Sequence, residues 1–192
     1  MSLDKSLYQG KLITLASVEP EKDTEVISGW THDAETMRLC EIKPIRPLSP
    51  WKVKKILETT EKEADEKRKT CLFAIHSQVD GRLIGLVQID AIDWAHGSGK
   101  VKIVIGDSQD RRQGYGSETL RIILRYSFSE LNLHRLEAVL PEYNQGALGL
   151  FAQAGFSEEV RQRQAINRYG RRWDLIFVGL LRGEWRVDIS AV

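Results

Sequence analysis

One stretch of this chain, GDSQDRRQGYGSETLRIILRYSF at residues 106–128, restricts the fold more than any other. It follows an apolar, strand-like segment and passes through two arginines and two glycines into a segment with helical periodicity. Glycine lets the backbone turn tightly and lets a ligand approach the N–H groups. Because a helix N-terminus presents unpaired N–H groups and the positive end of the helix dipole, this order of elements predicts a site for an anion.

The bulk composition limits the class of protein. The 192 residues suit one packed domain, which we expect to span residues 1–192. The 28 Lys and Arg residues balance 27 Asp and Glu residues to a formal charge of +1, which gives no reason to expect nucleic acid or an anionic membrane as a partner. No apolar run reaches the ~20 residues that cross a bilayer, and MSLDKSLYQG lacks the apolar stretch of a secretory signal. With Cys40 and Cys71 far apart and four dispersed histidines, we expect reduced thiols, a cytoplasmic protein and no metal site.

The order of strand and helix patterns indicates a mixed sheet. Seven segments have the alternation or the apolar runs of β-strands: residues 11–18, 71–77, 82–94, 99–106, 134–141, 157–166 and 171–181. Helical patterns occupy residues 19–30, 51–68, 116–130 and 145–156. The early strands are joined by hairpin-like turns, and a strand–helix–strand–helix unit follows them. This arrangement predicts an α/β (α+β) fold.

Two common phosphate-binding loops do not fit the glycine motif. A P-loop requires Gly-Lys-Ser/Thr, which is absent here. A dinucleotide fingerprint requires a third glycine, and Thr119 stands at that position. A glycine turn that holds no ligand stays open as an alternative.

The motifs together resemble the GNAT N-acyltransferases. RRQGYG at residues 111–116 fits the family signature Q/R-x-x-G-x-G/A, which holds the pyrophosphate of acetyl-CoA. Asn144, Ala147, Leu150 and the Gly155-Phe156 pair fit a second family motif, N-x-x-[SA]-x-x-φ-x-x-x-x-G-F, where φ is apolar. The ending RYGRRWDLIFVGLLRGEW is similar to the branch that acetylates ribosomal-protein N-termini, spermidine and related amines.

This resemblance covers about residues 11–186 and implies a single GNAT-like domain. Its sheet would be central, twisted and mostly antiparallel, with about seven strands flanked by helices. The co-substrate would be acetyl-CoA, with pantetheine on the central strand and its pyrophosphate on the glycine loop. The implied CoA-binding residues are Ile103, Val104, Ile105, Arg111, Arg112, Gln113, Gly114, Tyr115, Gly116, Ser117, Asn144 and Phe151.

The catalytic positions of the family are altered in this chain. The leaving CoA thiolate usually receives a proton from a tyrosine or a serine, but the corresponding positions hold Phe151 and Ala147. A glutamate that acts as base through water is replaced by Lys100. The replacement candidates are Asn144, Glu137 and Tyr143, with Glu41 and Glu142 as further acids near the expected site. For Asn144, capping of the following helix is the alternative role.

The sequence gives the least information about the acceptor. The family usually binds it with the segments that correspond to residues 31–50 and 163–172. The second segment contains an arginine cluster: Arg163, Arg168, Arg171 and Arg172. Such a cluster repels a polycation such as spermidine and attracts an acidic peptide, a nucleotide-linked amine or an RNA-bearing partner, unless it only keeps the hairpin soluble. An edge strand near Trp173 leaves a homodimer open.

The leading hypothesis is an acetyl-CoA-dependent N-acetyltransferase. Its acceptor would be a primary amine, either a protein N-terminus or a small molecule, that attacks the thioester directly. The residues at positions 147 and 151 motivate an alternative, a non-catalytic acyl-CoA-binding regulatory module. A structural domain that never binds CoA is the third reading, and it would require the motifs to agree by accident.

Overall fold

A computed structural model describes residues 7–186 of the chain. The first six residues of the N-terminal stretch that was interpreted as lacking a secretory signal lie outside this range. Within residues 7–186, no helix is long and apolar enough to cross a membrane.

Seven strands form one sheet in the order β1-β2-β3-β4-β5-β7-β6. The strands are β1 Ile13–Ala16, β2 Cys71–Ser77, β3 Leu83–Asp93, β4 Ser98–Ile105, β5 Arg135–Pro141, β6 Ser157–Arg168 and β7 Arg171–Leu181. Every neighbouring pair is antiparallel except β4 and β5, which are parallel. The predicted fold class, a mixed and mostly antiparallel sheet of about seven strands with flanking helices, is therefore confirmed.

Five α-helices accompany the sheet in the described part of the chain. They are α1 Pro20–Thr31, α2 Ala34–Cys40, α3 Pro50–Lys67, α4 Tyr115–Arg125 and α5 Gln145–Gln153. Proline in the first turn of α1 and α3 suits a helix start, because the N–H that proline lacks would be unpaired there. The predicted helix at residues 116–130 is α4 followed by one π-helical turn, Tyr126–Glu130.

The sequence interpretation missed α2, which lies inside the segment that was assigned to acceptor binding. With seven residues, α2 is too short for a helical period to stand out. Its local start signal is Asp33, whose side chain accepts a hydrogen bond from the Glu35 N–H at 3.0 Å.

The sheet is covered on both faces, because alternate side chains of a strand point to opposite sides. In β2, Ile75 belongs to the larger core and Ala74 to the smaller one. The larger core includes α4 residues such as Leu120 and Ile123, whereas the smaller one contains residues of α1 and α3. The two faces therefore carry different helices, with α4 on one and α1 and α3 on the other.

Glu118 fixes α4 against the first strand. Its buried carboxylate accepts hydrogen bonds from the backbone N–H groups of Lys11, Leu12 and Ile13 at 2.8, 2.6 and 2.9 Å. Hydrogen bonds to a charged acceptor are the stronger ones, so this carboxylate ties the helix to the start of β1. The N-terminal part of α4 is thereby held beside β1.

Candidate functional site

The two central strands separate part of the way along the sheet. β4 and β5 are paired only where Ser98, Gly99 and Lys100 face residues 135–137. Beyond that point β4 stays paired with β3 as far as Ile105, and β5 stays paired with β7 as far as Pro141. A V-shaped opening therefore lies between the C-terminal ends of β4 and β5.

The predicted pantetheine strand borders this opening. Ile103, Val104 and Ile105 form the C-terminal end of β4, and all three are only partly buried. Their pairing with β3 occupies one edge of the strand. In the described residues no ladder pairing with β5 is formed along this stretch, so its second edge is available to an extended ligand.

The glycine loop lies directly after β4 and starts α4. Gly114 is the N-cap residue, and its φ of 88° is in the left-handed region that glycine adopts without strain. Among the described residues, no side chain caps this helix. Its first-turn N–H groups, including those of Tyr115, Gly116 and Ser117, therefore lack a side-chain cap and suit an anion.

The loop arginines have different environments. Arg112 is exposed, and it has a φ of 59°. The Arg111 guanidinium donates a hydrogen bond to the Thr36 hydroxyl and lies 3.8 Å from the Glu35 carboxylate. Its side chain thus contacts α2, and its backbone N–H donates to the Ser108 carbonyl at 3.3 Å, so Arg111 contributes positive charge near the loop and not a free backbone donor. Gln113 is exposed, as Arg112 is.

Asn144 and Tyr143 connect the end of β5 to α2. Asn144 caps α5 by accepting a hydrogen bond from the Ala147 N–H at 3.0 Å, and its amide donates to the Leu39 carbonyl at 3.0 Å. The Tyr143 hydroxyl donates to the Arg38 carbonyl at 2.9 Å. The capping role that was the alternative for Asn144 is therefore present, and both side chains position α2 beside the opening.

Phe151 is placed in the core. It is 3% exposed and packs edge-to-face on Phe156, with ring centroids 4.9 Å apart. Contact of Phe151 with a bound cofactor stays a prediction.

The structure does not bring Glu137 to the other two catalytic candidates. Glu137 lies where β4 and β5 are still paired, opposite Lys100. Tyr143 and Asn144 follow the C-terminal end of β5. At the rise of an extended strand, the distance from Glu137 to Pro141, the last residue of β5, is already roughly 13 Å. Arg135 Nε donates to the Glu137 carboxylate at 2.9 Å. A single reacting group at one end of β5 cannot contact both sets of side chains.

Two acidic groups near the central strand have constraints that the sequence did not show. Asp90 lies opposite Lys100 on β3, and burial is the main cause that raises its pKa, although Lys100 and Lys102 oppose the shift. Glu41 forms an ion pair with Lys102. This pair joins the segment after α2 to β4, next to the opening.

A cavity of about 170 Å³ lies between α2 and the β6–β7 hairpin. Its lining consists of Glu35, Arg38, Leu39, Tyr143, Arg168, Tyr169 and Trp173. The sequence interpretation assigned both walls to the acceptor and named Tyr143 as a catalytic candidate, but it gave Tyr169 no role and mentioned Trp173 only in connection with an edge strand. The arginine-rich hairpin was the signal for one wall, whereas no local signal marked Arg38.

No group of His, Cys, Asp or Glu side chains suited to a metal ion occurs among the described residues. Cys40 ends α2, and burial raises the pKa of its thiol to about 11. This cysteine is therefore a neutral thiol at neutral pH.

Comparison with known proteins identifies the class. A family model described as the acetyltransferase (GNAT) domain matches residues 13–157, which is most of the chain. The chain therefore belongs to the GNAT acetyltransferase family, and the predicted enzyme class, N-acetyltransferase, and its co-substrate, acetyl-CoA, are confirmed at the level of the family.

Individual relatives agree with this assignment. N-acetyltransferase p20 of Bacillus licheniformis, described as uncharacterized, is 25% identical over 182 residues, which are 94% of this chain and 98% of that protein. The spermidine N(1)-acetyltransferase of Vibrio cholerae is 29% identical over 103 residues, 54% of this chain and 59% of that protein. A crystal structure of spermidine N-acetyltransferase from Vibrio cholerae with CoA and spermine has a TM-score of 0.76 at 23% identity and covers 91% of this chain and 98% of that chain.

Proposed function

We propose that this protein transfers the acetyl group of acetyl-CoA to a primary amine, either a protein N-terminus or a small molecule. The neutral amine attacks the thioester carbonyl directly, and the CoA thiolate leaves. The observation that carries this proposal is the separation of β4 and β5 after Lys100, beside a helix N-terminus that no side chain caps.

Each part of CoA has a matching surface in this arrangement. The pantetheine arm lies in the opening and pairs with the free backbone edge of Ile103, Val104 and Ile105. The pyrophosphate binds the N–H groups of the loop between Arg111 and Ser117, where the helix dipole favours negative charge. Gly114 keeps that surface free of a side chain.

Rate enhancement comes mainly from placing the amine against the thioester. Effective molarities of well-oriented groups reach ~10⁵ M or more, whereas general acid–base assistance adds roughly 10²–10⁴-fold. Tyr143 and Asn144 lie at the open end of the V, so we assign them to positioning there. Glu137, at the paired end and bonded to Arg135, remains a candidate for accepting a proton through water.

The proposal extends to the setting of the enzyme. We propose one catalytic domain over residues 1–192 in the cytoplasm, with a homodimer as one form of assembly. The dimer contact would use β6, because β7, which contains Trp173, is paired on both sides and is not the edge strand that the sequence suggested. The Vibrio cholerae enzymes act on spermidine, but we do not propose a polyamine acceptor for this chain, because two arginines line its cavity.

A non-catalytic acyl-CoA binder is the alternative supported by Ala147 and Phe151.

A two-stage experiment tests this function. Calorimetry and thermal melts with CoA and acetyl-CoA measure binding, since a ligand at 100 times its Kd adds about 2.7 kcal/mol to the free energy of unfolding. Thiol release from acetyl-CoA is then followed across a panel of primary amines. Absence of CoA affinity at millimolar ligand would refute the proposal. Tight CoA binding without turnover of any amine would favour the binder.

A further inference from the structure

We propose that the cavity between α2 and the β6–β7 hairpin binds an oxyanion carried by the amine acceptor. The preferred acceptor is then a primary amine with an apolar or aromatic body and a carboxylate or phosphate group. This inference rests on the proposed acetyl transfer and specifies its substrate class.

The cavity has positive charge that its own carboxylate does not balance. Arg38 and Arg168 line it together with one acid, Glu35. The Glu35 carboxylate lies 3.8 Å from the Arg111 guanidinium, which partly neutralises its negative charge. Within the described residues neither Arg38 nor Arg168 forms an ion pair, since the hydrogen-bond partners of Arg38 and Arg168 are a hydroxyl and backbone carbonyls.

Both guanidinium groups keep donors for a ligand. A guanidinium has five N–H donors, and the Arg38 side chain uses one of them for the Tyr169 hydroxyl while stacking 4.3 Å over the Tyr169 ring. Arg168 donates to the carbonyls of Ile42 and Lys43 at 2.8 and 2.9 Å, and its buried Nε has no partner in the described part of the chain. Of the two N–H groups on its Nη1, the described residues accept one, through the Asn167 carbonyl, so a donor remains for a ligand.

The remaining lining suits the body of the acceptor. Tyr143 and Trp173 meet edge-to-face with their ring centroids 5.5 Å apart, and Leu39 adds an aliphatic surface. A cavity of about 170 Å³ has room for one side chain and not for a folded segment.

The position of the cavity links it to the acetyl group. Tyr143 lines the cavity, and the next residue, Asn144, caps α5 at the open end of the V. The amide of Asn144 also bonds the carbonyl of Leu39, another lining residue. An acceptor anchored by its anion in this cavity therefore has its amine directed toward the opening where we place the thioester. A polycation would meet two arginines instead.

Matched acceptors test the inference. Thiol release at saturating acetyl-CoA is compared for Ala-Phe and its C-terminal amide, which differ in one carboxylate, and for the C-terminal amides of Ala-phosphotyrosine and Ala-Tyr, which differ in one phosphate. Each pair has the same N-terminal alanine amine. We expect the anionic member of at least one pair to be favoured by about tenfold in kcat/KM, mostly through KM, because an anchor binds ground state and transition state alike. The pair that shows the preference identifies the oxyanion.

Variants then locate the effect. Arg38→Gln should remove most of the preference, whereas Arg182→Gln, the same change at an exposed site beyond β7, should keep it. Should Arg38→Gln fail to fold, the wild-type enzyme still provides a test, because the preference must shrink as salt rises. Turnover with no anionic preference in either pair, or a preference that ignores Arg38 and salt, overturns the inference while leaving acetyl transfer intact. Absence of turnover with every amine refutes the proposed function itself.

Discussion

Alanine at each of the two loop glycines should have opposite consequences. Gly114 has a φ of 88°, and a Cβ there would lie 3.1 Å from Leu12 Cδ1. Left-handed backbone costs a non-glycine residue roughly 1–2 kcal/mol. At Gly116, which is helical, an added Cβ would lie 3.4 Å from Leu150 Cδ2, an ordinary contact. Gly114→Ala is therefore strained, whereas Gly116→Ala fits.

The magnitudes follow from these positions. Gly114→Ala should lower the free energy of unfolding by about 1–2 kcal/mol, which is a fall in Tm of about 2–8 °C for a chain of this size. If the loop relaxes to relieve the strain, N–H groups leave the pyrophosphate, and each lost charged hydrogen bond costs about 1.5–3 kcal/mol, or at least about tenfold in Kd. Gly116→Ala should be neutral or up to about 1 kcal/mol more stable, with the Kd for CoA within about threefold of wild type.

Thermal melts without ligand and calorimetry with CoA measure the two effects separately. Gly114→Asn is the control for strain, because asparagine carries the same Cβ but tolerates left-handed backbone better than alanine. Gly29→Ala is the control for composition, since a Cβ at this α1 position meets nothing within 4 Å. If Gly114→Ala melts like wild type, the strain at this position is refuted; if it is destabilised but binds CoA like wild type, the result contradicts the assignment of this loop to the pyrophosphate.

Three further predictions concern buried groups. Glu118→Gln should lower the free energy of unfolding, measured by urea denaturation, by about 2–3 kcal/mol, because the N–H groups of residues 11–13 lose their charged acceptor. Phe151→Tyr should raise kcat in the thiol-release assay by about tenfold or more, since it restores a hydroxyl where the family resemblance puts the acid. Alkylation of Cys40 at fixed pH should be about 100-fold slower in the native than in the unfolded chain, because burial raises its pKa from 9.0 to about 11 and so reduces the thiolate.

Each of these has its own control. Glu130→Gln at an exposed position should change stability by less than about 0.5 kcal/mol. An unchanged kcat in a Phe151→Tyr variant that still folds and binds CoA would show that protonation of the thiolate does not limit turnover. Equal alkylation rates for native and urea-unfolded protein would contradict the burial of the Cys40 thiol.

Local patterns were sufficient for most of the elements. Proline in the first turn, as in α3, and alternation in the strands act over a few neighbouring residues, so they can be recognised without knowledge of the fold. The glycine loop was recognisable for the same reason, because the left-handed Gly114 and the start of α4 follow each other directly. Helix α2 was missed because seven residues do not complete two helical turns.

The candidate site depended much more on tertiary structure. Arg38 and Tyr169, which stack across the cavity, lie 131 positions apart in the chain. Similarly, the Glu137 and Tyr143 candidates are close in sequence but lie at opposite ends of β5, since an extended strand moves residues apart quickly.

The order of the elements, the glycine loop and the family motifs could be read from the sequence alone, because periodicity, turn chemistry and motif spacing are local properties. The tertiary structure was needed to show where β4 leaves β5, which backbone carbonyls accept hydrogen bonds from Asn144 and Tyr143, and which residues enclose the cavity. Those features depend on packing between distant segments. This packing sets where strand pairing ends and where cavities form, and no short stretch of the chain specifies the packing.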